Sequence, residues 1–104
     1  QFTGLVGSGP AYFFYLLKTY EKELLKMCNG NKDEVAAIMT NLLEGVSKSI
    51  QVNDNLDELI RMVASKKGTT EAGLKSFSTS NINKIFKNGL KKAIERSKEI
   101  SNEY

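Results

Sequence analysis

The chain of 104 residues has no histidine, no tryptophan, one cysteine and one proline. Without histidine, imidazole acid/base chemistry and histidine-ligated metal are excluded within these residues. With Cys28 alone, a disulfide scaffold is excluded. A thiol with no imidazole partner near the end of an apolar helical run reads as buried and unreactive rather than nucleophilic. Long apolar runs are missing too: the longest, Ala11 to Leu17, is far below the roughly 20 residues needed to span a bilayer. No targeting segment is visible. The net charge of +3 is small and its acidic and basic residues are interspersed, which speaks against a protein built to hold a phosphate backbone. Neither a membrane nor a nucleic acid is therefore expected as a partner.

At this length a single domain with a modest core is expected, smaller than an enzyme with two ligand sites usually occupies, so a partner is expected. The opening residue is Gln1 rather than methionine, and the chain reads as a piece excised from a longer protein. Its periodicity is helical throughout. Pro10 after Gly7-Ser8-Gly9 suits the first position of a helix that runs to about Met27. Asn29-Gly30 is a stop, and Asn31 with Glu34 forms a capping-box pattern. From there Val35, Ile38, Met39, Leu42, Leu43, Val46 and Ile50 recur at three-and-four spacing, which predicts a helix to about Ile50. Asn53-Asp54-Asn55 breaks that pattern, and Asn55 with Glu58 opens a third helix ending near Ser65. A short helix carries Leu74 and Phe77; after Ser78-Thr79-Ser80-Asn81, a last one carries Ile82, Ile85, Phe86, Leu90, Ala93 and Ile94. No segment reads as a strand. The expected fold class is all-α, a single domain over 1–104 of four or five helices.

In the first helix, Ala11 to Leu17 is apolar or aromatic on every side, so it must be covered on every side. The other helices are too short and too amphipathic to cover all of it, and a second copy of the chain is the natural cover. A homodimer is expected, with a core-like interface of the obligate class burying roughly 2,000 Å² or more; the alternative is a monomer with a well-wrapped central helix.

Three further patterns have a functional and a plain reading. Gly4-Leu5-Val6-Gly7-Ser8-Gly9 suggests a dinucleotide loop, but no strand precedes it and no βαβ unit follows; close backbone packing is the better reading. Lys84, Lys87, Lys91, Lys92, Arg96 and Lys98 make one side of the last helix basic, yet Glu95 and Glu99 interrupt it and no aromatics are interleaved for base stacking. It reads as a solvated face. Ser65-Lys66-Lys67-Gly68-Thr69-Thr70-Glu71 joins two helices. Locally, Thr70 as a cap and Gly68 as a stop explain it. The alternative is an anion cradle: first-turn amides lack helical partners and sit at the positive end of the helix dipole, beside the hydroxyls of Ser65, Thr69 and Thr70 and the charges of Lys66 and Lys67. The carboxylates form no pair suited to acid/base work.

Two motifs together, Thr3-Gly4-Leu5-Val6-Gly7-Ser8-Gly9-Pro10-Ala11-Tyr12 and Val63-Ala64-Ser65-Lys66-Lys67-Gly68-Thr69-Thr70-Glu71-Ala72-Gly73-Leu74, resemble the pyrroline-5-carboxylate reductases, and Glu95-Arg96-Ser97-Lys98-Glu99 resembles that family's last helix. The spacing of all three agrees over nearly the whole chain. The resemblance implies the carboxy-terminal helical domain of such an enzyme, interlocked with its twin, and an amino-terminal nucleotide-binding domain of Rossmann type lying outside this chain. It implies a cytoplasmic enzyme reducing 1-pyrroline-5-carboxylate to proline with NADPH or NADH, the cofactor being held mainly by the other domain. It further implies that Ser65, Gly68 and Thr69 cradle the substrate carboxylate and that Thr70 acts as the catalytic hydroxyl, bonded to the ring nitrogen. The chain departs from the family at Lys66-Lys67, where proline-glycine is usual, and at Ser80-Asn81, where a glycine pair is frequent. A helical dimer serving only as an interaction scaffold is the other reading. Assembly beyond the dimer is not legible.

Overall fold

Five helices follow one another in a computed structural model that describes residues 2–64 and 68–103. They are α1 (Phe2–Met27), α2 (Lys32–Val52), α3 (Leu56–Ala64), α4 (Gly68–Thr79) and α5 (Ile82–Glu103). No strand occurs among the described residues, so the expected all-α class holds.

Side-chain caps set the boundaries. At the end of α1 the chain turns left-handed at Asn29 (φ 53°) and Gly30 (φ 77°), and the Gly30 amide donates to the Leu25 carbonyl at 2.8 Å, a bond that closes the last turn and satisfies an otherwise orphaned acceptor. Asn31 then caps α2, its Oδ1 accepting from the Glu34 amide at 3.0 Å. Asn55 repeats the cap for α3, accepting from the Glu58 amide at 3.1 Å, and the Glu58 carboxylate takes a bond from Asn53 Nδ2 at 3.2 Å. α4 and α5 meet at Asn81, also left-handed at φ 59°. The break is narrower than expected: Ser78 and Thr79 remain helical.

Two expectations are corrected. α1 begins at Phe2, not near Pro10, so the glycine-rich stretch is helical and Pro10 lies inside the helix. Pro10 has no amide to give the Val6 carbonyl, a local loss that packing elsewhere along the helix overrides. The packing reading of the glycines holds at Gly4 alone: a Cβ there would lie 2.9 Å from Ser97 Cβ and 3.4 Å from the Ala93 carbonyl oxygen on α5, whereas one on Gly7 or Gly9 would meet nothing within 4 Å. The second correction concerns Gly68, which is the first residue of α4 rather than part of the turn before it.

The helices form two compact units, one of Gln1–Leu16 with Gly73–Tyr104, the other of Leu17–Ala72. In the first, α1 and α5 meet through Gly4 and Ser97 and through an edge-to-face pair of Tyr12 and Phe86, ring centres 6.5 Å apart at 87°. In the second, Val35 of α2 is fully buried. It is the one buried core residue of the described chain. The apolar faces are otherwise open: Ile38, Leu42, Leu43, Val46 and Ile50 of α2, Leu56, Ile60 and Val63 of α3, and Phe13, Phe14 and Tyr15 of α1 are all exposed. Two exposed ion pairs, Glu23 with Lys26 and Glu99 with Arg96, each at 3.0 Å, add little at such positions.

Candidate functional site

The segment expected to hold an anion lies between the end of α3 at Ala64 and the start of α4 at Gly68. Ser65, Lys66 and Lys67 fall outside the described residues. Gly68, Thr69 and Thr70 occupy the first turn of α4, all within the second unit. Thr70 is therefore not the cap of its helix, and Gly68 is not a stop, having no positive φ. In a first turn the amides have no carbonyl four residues back to bond to, so those of Gly68, Thr69 and Thr70 are donors at the positive end of the helix dipole.

Gly68 and Thr69 are exposed and Thr70 is half-buried. Among the described residues, neither threonine hydroxyl is engaged by another side chain. A Cβ built on Gly68 meets nothing within 4 Å. Glu71 is the acidic residue of the same turn. Its carboxylate complements the helix dipole and competes electrostatically with any anionic ligand there. The arrangement offers amide and hydroxyl donors, and suits holding and orienting a small carboxylate.

Other chemistry is sparse. Cys28 is partly rather than fully buried, and desolvation, followed by the charge and hydrogen bond of Glu34, raises its thiol above the ordinary value. That keeps it protonated and supports the reading of an unreactive thiol. No group of acidic or cysteine side chains suited to a metal occurs among the described residues, and none of the helices is long and apolar enough to cross a membrane. The first unit carries an apolar cleft of about 220 Å³ between α1 and α5, lined by Tyr12, Tyr15, Leu16, Ile82, Ile85, Phe86, Gly89 and Leu90. Sequence reading missed it. The three-and-four spacing marks each of its two walls, but nothing in the sequence says that the walls face one another.

The family model for pyrroline-5-carboxylate reductase dimerisation matches residues 1–100. Relatives named pyrroline-5-carboxylate reductase are similar over almost the whole chain: that of Staphylococcus haemolyticus is 37% identical over 97% of this chain and 37% of its own length. That of Staphylococcus aureus is 37% identical over 98% of the chain and 38% of its own length, and that of Staphylococcus saprophyticus is 32% identical over 99% and 38%. The chain thus spans well under half the length of these curated relatives. No solved structure matches it significantly. A family match over nearly every residue, the agreement of three relatives and an all-helical fold lead to one conclusion: the chain belongs to the pyrroline-5-carboxylate reductase dimerisation family.

Proposed function

We propose that the chain is the dimerisation and substrate-binding domain of a cytoplasmic enzyme that reduces 1-pyrroline-5-carboxylate to L-proline, acts as a homodimer and works with a Rossmann-type nucleotide-binding domain outside these residues. The observation that carries the reading is the family match over residues 1–100; the first turn of α4, with its amide and hydroxyl donors, agrees with it. The described residues do not fit a dinucleotide, because Gly4 to Gly9 lies inside α1 and no strand leads into it. NADPH or NADH, held by the other domain, supplies the hydride.

The work left to this chain is positioning. Reduction of a C=N bond requires the ring carbon held about 3 to 3.5 Å from the hydride donor in a fixed orientation. Gly68 and Thr69, together with Ser65, hold the substrate carboxylate, the first two through amides at the positive end of α4. The Thr70 hydroxyl lies in the same turn and bonds the ring nitrogen, which orients the imine and supports the developing amine. Neither role needs histidine. Lys66 and Lys67 add positive charge that offsets Glu71 and draws in the anionic substrate.

The test is oxidation of NADPH and of NADH by the full-length protein with 1-pyrroline-5-carboxylate, beside its Thr70→Ala and Thr70→Ser variants. Thr70→Ala is expected to lower kcat about a hundredfold, the usual loss for one well-placed donor, and Thr70→Ser to retain most of it. Equal losses would remove the hydroxyl role. A folded, inactive wild type would leave the scaffold reading.

A further inference from the structure

We infer that Lys84, Lys87, Lys91 and Lys92 of α5 form a docking face for an acidic polypeptide segment of a partner protein. The inference goes beyond the reductase reading and does not depend on it.

Charge is spread unevenly along this chain. From Ala72 to Ile94 there is no aspartate or glutamate, while Lys75, Lys84, Lys87, Lys91 and Lys92 all fall there. Five of the 15 basic residues and none of the 12 acidic ones lie in that stretch, so the other residues, ten basic against twelve acidic, are net negative. The positive balance of the whole chain is held by this one stretch, nearly all of it within the first unit. All five lysines are exposed. The ion pairs of Lys26 and Arg96 lie elsewhere, and among the described residues no carboxylate partners any of the five.

Helix geometry gathers them on a face. At about 3.6 residues per turn, Lys84, Lys87 and Lys91 fall within about 60° of one another around α5, with Lys92 flanking them. Ile82, Phe86 and Gly89, which line the apolar cleft, lie on the opposite side, so covering the cleft leaves the lysines in water. Lys84 sits in the first turn of α5, which holds no acidic residue, and a cation at the positive end of a helix is unfavourable. A carboxylate placed beside it would remove that penalty.

The same face narrows the class of anion. A row of four lysines falls short of the roughly six to ten phosphate contacts that give a duplex binder its affinity. Single strands need aromatic platforms beside the charges, whereas Phe86, on the far side of α5, packs against Tyr12. Binding in a bilayer surface needs an apolar face turned to the lipid with basic residues at its margins, and here the two lie opposite. Carboxylates along a polypeptide need only point charges, and lysines on flexible stems supply them.

Fluorescence anisotropy of fluorescein-labelled poly-L-glutamate, titrated with the full-length protein, tests this. Two variants are compared: Lys84→Gln/Lys87→Gln/Lys91→Gln, and Lys18→Gln/Lys22→Gln/Lys48→Gln, which removes the same charge from exposed positions of the second unit. Far-ultraviolet circular dichroism and sedimentation accompany them. The α5 variant is expected to keep full helicity and to weaken binding about tenfold, as three exposed ion pairs do together. The other is expected to change it by less than about twofold in roughly 0.1 M salt, where distant exposed charges are screened. Should the α5 triple variant lose helix, Lys87→Gln alone decides, with an expected weakening of about two- to threefold. Equal losses in the two triple variants would show attraction by net charge alone and overturn the face, as would a wild type that does not bind the polymer. Tighter binding of a thymidine oligonucleotide, or of vesicles of phosphatidylcholine and phosphatidylglycerol in equal parts, lost in the α5 variant, would assign the face to phosphates instead. Altered sedimentation of a fully helical α5 variant would assign it to another copy of the chain, and would also overturn the inference.

Discussion

Asn31 and Asn55 do the same job at two helix starts, each placing a side-chain oxygen on the backbone amide three residues on, at 3.0 and 3.1 Å. Replacing Asn31 with alanine should cost about 1 kcal/mol of stability, read as a lower denaturant midpoint with an unchanged slope, while Asn31→Asp should cost little. A loss as large for aspartate as for alanine would show that the cap is not the source. Thr70 differs from these asparagines. It sits inside its helix start rather than ahead of it, so its hydroxyl is not taken up in capping.

At the level of whole helices, the contact of α1 with α5 turns on Gly4, whose missing side chain admits Ser97. Gly4→Ala would raise the helix propensity of α1, yet it forces the two helices apart, and a net loss of about 1 to 3 kcal/mol is expected. Ser97→Gly should restore part of it, giving a coupling of at least about 0.5 kcal/mol in a double-mutant cycle followed by thermal melting. Strictly additive effects would refute the contact. This contact also explains why α1 starts where sequence reading did not place it. Local propensity ends a helix at Gly7-Ser8-Gly9-Pro10, and only a neighbour distant in sequence extends it back to Phe2. Elements bounded by local chemistry were legible: the Asn29-Gly30 stop and both asparagine caps lie where the side chains alone put them. The start of α4 was displaced for a related reason, since Gly68 accepts a helical conformation as readily as a turn and its identity alone does not choose between them. The site was legible as a segment, through its threonines and the motif around them, but not in its detail of which residue caps and which is helical. The cleft was not legible at all, because it depends on how α1 and α5 face each other.

For the molecule as a whole, the decisive observation is that one residue, Val35, makes up the buried core of the described chain while apolar faces on all five helices stand open. Burial is the main favourable contribution to folding, and a chain this open lacks enough of it to offset its conformational entropy. Paired as proposed above, such a protomer would become ordered only as it met its twin. Refolding from denaturant should then follow second-order kinetics, the half-time halving when protein concentration doubles, and the melting temperature should rise with concentration; first-order recovery at all concentrations would contradict this. Supply, in that case, governs more than quantity. A cell making half as many of these chains would have less than half as much ordered protein, and each newly made chain would remain open to proteases for as long as it takes to find another.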